Sequence, residues 1–174
     1  VQYDTQTHKA VVTVGKDTKN NKLSVTGITY DDKAANALEI TNTFTPVQAH
    51  IEVTKAFNGW KDPAYGDYFA NTKFTFNISP VTEGAPLPAE GGKNVLTAEA
   101  SKTVPTAKFK AITFVKEGTY TYNIKEDNDR KDGISYDGNT HAVTIVVSKD
   151  DANNALSVSS IKYELNGVET SDPA

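Results

Sequence analysis

The sequence predicts an all-β fold built from β-sandwich repeats in tandem, and three observations predict it. Apolar residues alternate at period two along most of the chain, and no amphipathic stretch of period 3.6 is sustained. Turn and breaker signals punctuate that alternation at Asn58-Gly59, Pro63, the Pro80 to Gly92 stretch, Glu117-Gly118, Asp132-Gly133 and Asp137-Gly138. The chain also repeats itself without a gap. Tyr3-Asp4, Thr7-His8, Val14, Lys16-Asp17, Leu23-Ser24-Val25, Ile28 and Tyr30 recur 133 residues later as Tyr136-Asp137, Thr140-His141, Val147, Lys149-Asp150, Leu156-Ser157-Val158, Ile161 and Tyr163. About half the positions are identical over roughly thirty residues, which marks a tandem array whose unit is close to that offset.

The elements follow in order. Strands are read at about 8 to 14, 22 to 30 and 37 to 45, then at about 50 to 57, 72 to 79, 94 to 99, 107 to 115, 119 to 126, 140 to 147 and 155 to 164. By the repeat, residues 1–46 form the C-terminal part of a preceding sandwich, and 47–174 a nearly complete second one that lacks its last strand. Thr45-Pro46-Val47-Gln48-Ala49 joins them, a short proline-containing link that suits a stiff head-to-tail connection.

Composition removes several classes of function. The 174 residues are 37% apolar, enough for sandwich cores, and no run approaches the roughly 18 to 20 apolar residues that span a bilayer. Val1 to Ala10 has neither the basic nor the apolar region of a signal peptide. Net charge is -4 with the lysines scattered, so the basic footprint of a nucleic-acid binder is missing. With no cysteine there are no disulfides, thiolate nucleophiles or cysteine metal sites. No cofactor or metal site is read from the chain.

Three polar residues fall on the apolar face of their strands. Lys55 shares a face with Ile51, Val53 and Phe57; Glu126 with Tyr120, Tyr122 and Ile124; Asn42 with Leu38, Ile40 and Phe44. Each has a plain explanation. Lys55 snorkels at a strand end, Glu126 opens the polar turn Asp127-Asn128-Asp129, and Asn42 is a core amide bonded to backbone. Taken as a set they say more: an amine in the first strand of a unit, an acid in a middle strand, an amide in the last. Burial favours the neutral form of both amine and acid, so a proton passes between them and leaves a nucleophile beside a carboxylic acid. The amine attacks the amide carbonyl, the acid polarises it and relays protons, and ammonia leaves as a new amide joins the strands.

Three segments carry a family resemblance: Ile51-Glu52-Val53-Thr54-Lys55, Gly118 through Glu126, and Ile40-Thr41-Asn42-Thr43-Phe44-Thr45-Pro46. They resemble the streptococcal-type major pilin isopeptide-linkage domain, FctA-like, and more distantly the collagen-adhesin B-type stalk repeat. That resemblance implies an immunoglobulin-like (collagen-adhesin B-type) sandwich in a structural stalk or shaft repeat of a Gram-positive pilus or surface adhesin, extracellular and attached at the cell wall. It implies autocatalytic Lys–Asn isopeptide bonds, with Lys55 the cross-linking amine, Glu126 the catalytic acid, and Asn42 the amide of the preceding repeat. The partners it implies are neighbouring repeats or subunits of the same fibre, with any host glycan or protein ligand elsewhere in the protein.

Rival readings rest on fewer residues. An enzyme of the serine-triad or paired-carboxylate kind has little to draw on in three histidines, two of which, His8 and His141, occupy equivalent repeat positions as framework. A glycan- or protein-binding module using Trp60, Tyr65 and Tyr68 is the alternative, against their covering a sandwich end. Asp127, Asp129 and Asp132-Gly133 resemble a calcium loop, but Lys131 stands where its third acid belongs and the run reads as a turn.

Overall fold

The computed structural model describes residues 2–152 and 154–170. The chain divides into two compact units, Val1–Phe44 and Thr45–Ala174. Strand is the main regular structure in both, and among the described residues the helical element is a single 3-10 turn at Asn58–Lys61.

Unit 1 is a three-stranded antiparallel sheet. Strands β1 (Ala10–Lys16) and β2 (Leu23–Tyr30) form a hairpin, and β3 (Lys33–Ala34) adds to β2. Val12, Val14, Val25 and Ile28 alternate as the sequence predicts, yet all four are exposed. The expected strand at 37–45 is a correction. Among the described residues its sheet contact is an isolated antiparallel bridge between Thr43 and Gln2. A strand persists by pairing along its length, and with a single bridge Ile40 and Phe44 stay 58% and 48% exposed. Asn42 is accordingly exposed rather than a core residue in this unit.

Unit 2 is the sandwich. One sheet has six antiparallel strands, in the order β15 (Val168–Thr170), β14 (Leu156–Leu165), β13 (His141–Lys149), β12 (Gly118–Glu126), β6 (Lys73–Pro80) and β9 (Thr97–Ser101). In chain order, β4 (Val47–Ala49) and β5 (Glu52–Thr54) come first, then β6 (Lys73–Pro80), the small ribbon β7 (Ala89–Glu90) and β8 (Lys93–Asn94), and β9 (Thr97–Ser101). They are followed by β10 (Thr106–Lys108), β11 (Ile112–Phe114), β12 (Gly118–Glu126), β13 (His141–Lys149), β14 (Leu156–Leu165) and β15 (Val168–Thr170). The opposing layer is β4 paired with β11 and β5 paired with β10. Each long strand read from the sequence there, 50–57 and 107–115, is interrupted. Phe109 N–H still bonds Ile51 O across the break, and both side chains turn inward.

The core lies between the layers and follows the period-two pattern. Tyr120, Tyr122 and Ile124 of β12, Val143, Ile145 and Val147 of β13, and Phe74, Phe76 and Ile78 of β6 meet Ile51, Phe109, Ile112 and Phe114. Tyr122 is fully buried, and its hydroxyl donates to Pro86 O at 2.8 Å. Tyr122→Phe should cost about 1 kcal/mol, the net worth of the hydrogen bond to the half-buried Pro86 carbonyl. Urea titration checks this, and a change below a few tenths would show that water takes the hydroxyl's place.

The hairpin β13–β14 reproduces β1–β2 feature for feature. Both carry a bulge, at Thr13/Val14 and at Val146/Val147, and Ala10 faces Tyr30 as Val143 faces Tyr163. Both turns contain an asparagine with positive φ, Asn21 and Asn154, and both have the Asp N–H, of Asp17 or Asp150, closing the turn. β15 is an element the pattern did not predict. Asn166 and Gly167 both have positive φ, the pairing a two-residue hairpin turn requires, and they fold Val168–Thr170 back onto β14.

Candidate functional site

Backbone bonding holds Lys55 just past the end of β5, where its N–H donates to Pro105 O at 2.9 Å. Alternation from Ile51 and Val53 turns the side chain inward, leaving it 13% exposed. The ammonium lies 4.5 Å from the Phe74 ring centroid, a cation–π contact from β6. Glu126 is the last residue of β12 and its side chain is 1% exposed. Lys55 Nζ and Glu126 Oε1 are 2.6 Å apart. The approach is close but poorly angled for a hydrogen bond, and Oε1 has no hydrogen-bond partner. Oε2 accepts the backbone N–H of Asp137 at 2.7 Å.

Beside the pair lies a cavity of about 220 Å³. Val53, Phe76, Ile124 and Tyr163 give it apolar walls, while Lys55, Glu126, Asp137 and His141 supply its polar end. An amine and an acid without water between them, next to an apolar slot, are placed for acyl transfer to a carbonyl that enters the slot.

Asn42 belongs to unit 1. There its Oδ1 accepts the backbone N–H of Asp4 at 3.1 Å. Asp137, expected in a turn, and His141, expected as repeat framework, both line the cavity. The repeated Tyr-Asp-x-x-x-His spacing was the signal that could have found them.

The loops around the site set local charge. Burial pushes the Asp137 carboxyl upward, but hydrogen bonds from His141 and from the backbone and side chain of Asn139 outweigh it and hold it below the ordinary aspartate value. Its contribution to stability is thus present above that ordinary value and is lost as pH falls through the lower folded one. In unit 1 the Asp31 carboxylate, and after it Asp4, raise His8 above the ordinary histidine value. His8 therefore stabilises its unit below about pH 6.5 and ceases to as pH rises through its folded value. An NMR titration of the His8 ring should find a midpoint above that of a free histidine, and Asp31→Asn should bring it down. Equal midpoints would show that the two carboxylates do not hold it.

Trp60 is buried, edge-on to Phe57 and Phe74, so it packs the sandwich end. Tyr65 and Tyr68 are exposed. Asp129 gives its oxygens to the Lys131 ammonium and the Tyr136 hydroxyl. Among the described residues no cluster of acids, histidines or cysteines is grouped to hold a metal, and no helix is long and apolar enough to cross a membrane.

Fold and site together define a class: an immunoglobulin-like β-sandwich that buries one lysine against one glutamate at the end of its core. The chain belongs to the FctA family, the Spy0128-like isopeptide containing domain, which matches residues 51–172. It is thus a pilin-type structural domain. No curated protein matches the chain.

Proposed function

We propose that this chain is a shaft or stalk repeat of a Gram-positive pilus or surface adhesin, extracellular and anchored at the cell wall, whose units weld themselves through Lys–Asn isopeptide bonds. The observation that carries the reading is Lys55 Nζ at 2.6 Å from the buried side chain of Glu126, beside an apolar cavity. A buried ion pair of this kind is poor value as a stabiliser, since desolvation offsets most of its attraction. A reaction centre accounts for the pair better. Lys55 is the amine, Glu126 the proton relay, and the amide arrives on a strand like Ile40–Thr45, whose Asn42 serves the preceding unit. In this reading residues 1–46 are the C-terminal part of one repeat and 47–174 most of the next. The matched bulges, turns and register of β1–β2 and β13–β14 support it, as do the apolar side chains of β1 and β2, exposed here while Val143, Ile145 and Val147 are buried.

Neighbouring repeats and subunits of the same fibre are the partners this reading names. Force entering at the first strand of a unit leaves through the last without stretching the strands between, and an amide resists the reductants that open disulfides.

The test mixes the chain with a synthetic peptide of residues 37–46 and follows intact mass. An adduct should form whose mass is the sum of the two less about 17 Da, the ammonia released on attack of the amine. Peptide fragmentation should place the bond at Lys55. A chain that keeps its own mass, or an adduct that survives Lys55→Ala, sinks the reading.

A further inference from the structure

The two units hold the same loop device on different acceptors. In unit 2 both carboxylate oxygens of Asp137 are engaged. Oδ1 accepts the N–H and the side-chain amide of Asn139 at 2.9 and 2.7 Å, and Oδ2 accepts from His141 Nε2 at 2.8 Å. With its side chain fixed, Asp137 directs its backbone N–H onto Glu126 Oε2. In unit 1, Asp4 Oδ1 accepts the N–H of Gln6 at 2.8 Å and Oδ2 accepts from His8 Nε2 at 3.0 Å. Its backbone N–H donates to a different group, the side-chain oxygen of Asn42. Asp4, Gln6 and His8 stand 133 residues before Asp137, Asn139 and His141. One N–H thus serves a carboxylate in one unit and a carboxamide oxygen in the other.

We propose that this N–H is the donor that receives the reacting carbonyl during amide formation, and that His141 and the Asp137 side chain are positioning residues that aim it. The inference rests on the cross-linking reading above. Glu126 takes a proton from the lysine and, once a carboxylic acid, has less need of the donor. The carboxamide oxygen then takes its place on the N–H, the position that Asn42 Oδ1 occupies on the Asp4 N–H in unit 1. Attack of the Lys55 nitrogen forms the new C–N bond and moves the carbonyl electron pair onto that oxygen, where the N–H stabilises it. One proton of the attacking amine passes through Glu126 to the departing nitrogen, which leaves as ammonia while the carbonyl re-forms. Atoms and charge balance with no oxidant or reductant.

A backbone donor held by a clamped side chain is pre-aimed, so loosening the clamp affects rate before it affects the product. The experiment follows adduct formation between the full chain and the peptide of residues 37–46. His141→Phe should slow it about 10- to 100-fold while leaving the final adduct mass unchanged, and His141→Gln, which keeps a donor, should recover much of the rate. A semisynthetic chain with an ester in place of the Tyr136–Asp137 peptide bond keeps every side chain and removes only the N–H. It should react about 100-fold more slowly or worse. Rates for His141→Phe and the ester within about twofold of the parent overturn the inference. That outcome is distinct from failure of the cross-linking reading, in which the unaltered chain forms no adduct.

Discussion

Glu126→Gln should leave the chain unable to join the peptide of residues 37–46 on the timescale on which the unaltered chain reacts. Glutamine keeps the shape of the side chain and an acceptor for the Asp137 N–H, so packing is little changed. What it cannot do is take a proton from Lys55 and return one to the leaving nitrogen. General acid–base catalysis of this kind is worth about 100- to 10,000-fold, and without it a protonated lysine has no lone pair with which to attack. Time-resolved intact mass reads the result, with the loss of about 17 Da as its signature. Adduct formation at an undiminished rate would remove Glu126 from the chemistry, even if Lys55 remained the site of attachment. Where the bond closes the first strand of a unit to its last, it spans more than a hundred residues. By the loop-entropy argument used for disulfides it then stabilises by about 4 to 5 kcal/mol.

Glu126→Ala should destabilise unit 2 by about 3 to 5 kcal/mol, the usual cost of leaving one member of a buried ion pair without its partner. Lys55 cannot escape cheaply, because Phe74 lies over it and Val53 and Ile51 hold its strand against the core. The double substitution Lys55→Met with Glu126→Leu should be neutral or stabilising, since it removes both desolvation costs and fills the same volume. Guanidinium denaturation of the two single variants and the double closes the cycle. If Glu126→Ala costs less than about 1 kcal/mol, water reaches the pair and the desolvated environment that the chemistry needs is absent.

Much of this was legible in the sequence because a β-sandwich writes itself at period two. Tyr120, Tyr122 and Ile124 read as an inward face and are buried, and Glu126, two residues on, is carried inward with them. The register of β13–β14 was visible in the earlier hairpin, since the same residues at the same spacing make the same bulge and turn. Asn42 failed that test. Its alternation with Ile40 and Phe44 describes a strand that needs a sheet on which to lie, and alternation by itself cannot supply one. Asp137 and His141 were missed for the opposite reason. Their side chains bond within their own loop, a local pattern that resembles framework, and only proximity to Glu126, eleven residues earlier, gives them a place at the site.

By itself the sequence determined the fold class, the hairpin that recurs 133 residues on, and which face of each strand carries the lysine and the glutamate. All of these follow from local spacing, and local spacing survives without knowledge of what packs across the way. Only the tertiary structure decided that Lys55 and Glu126 come within 2.6 Å, that an apolar cavity opens beside them, and that the Asp137 N–H donates to the second oxygen of the same carboxylate. Those are distances between strands far apart in the chain, set by how two layers close over one core.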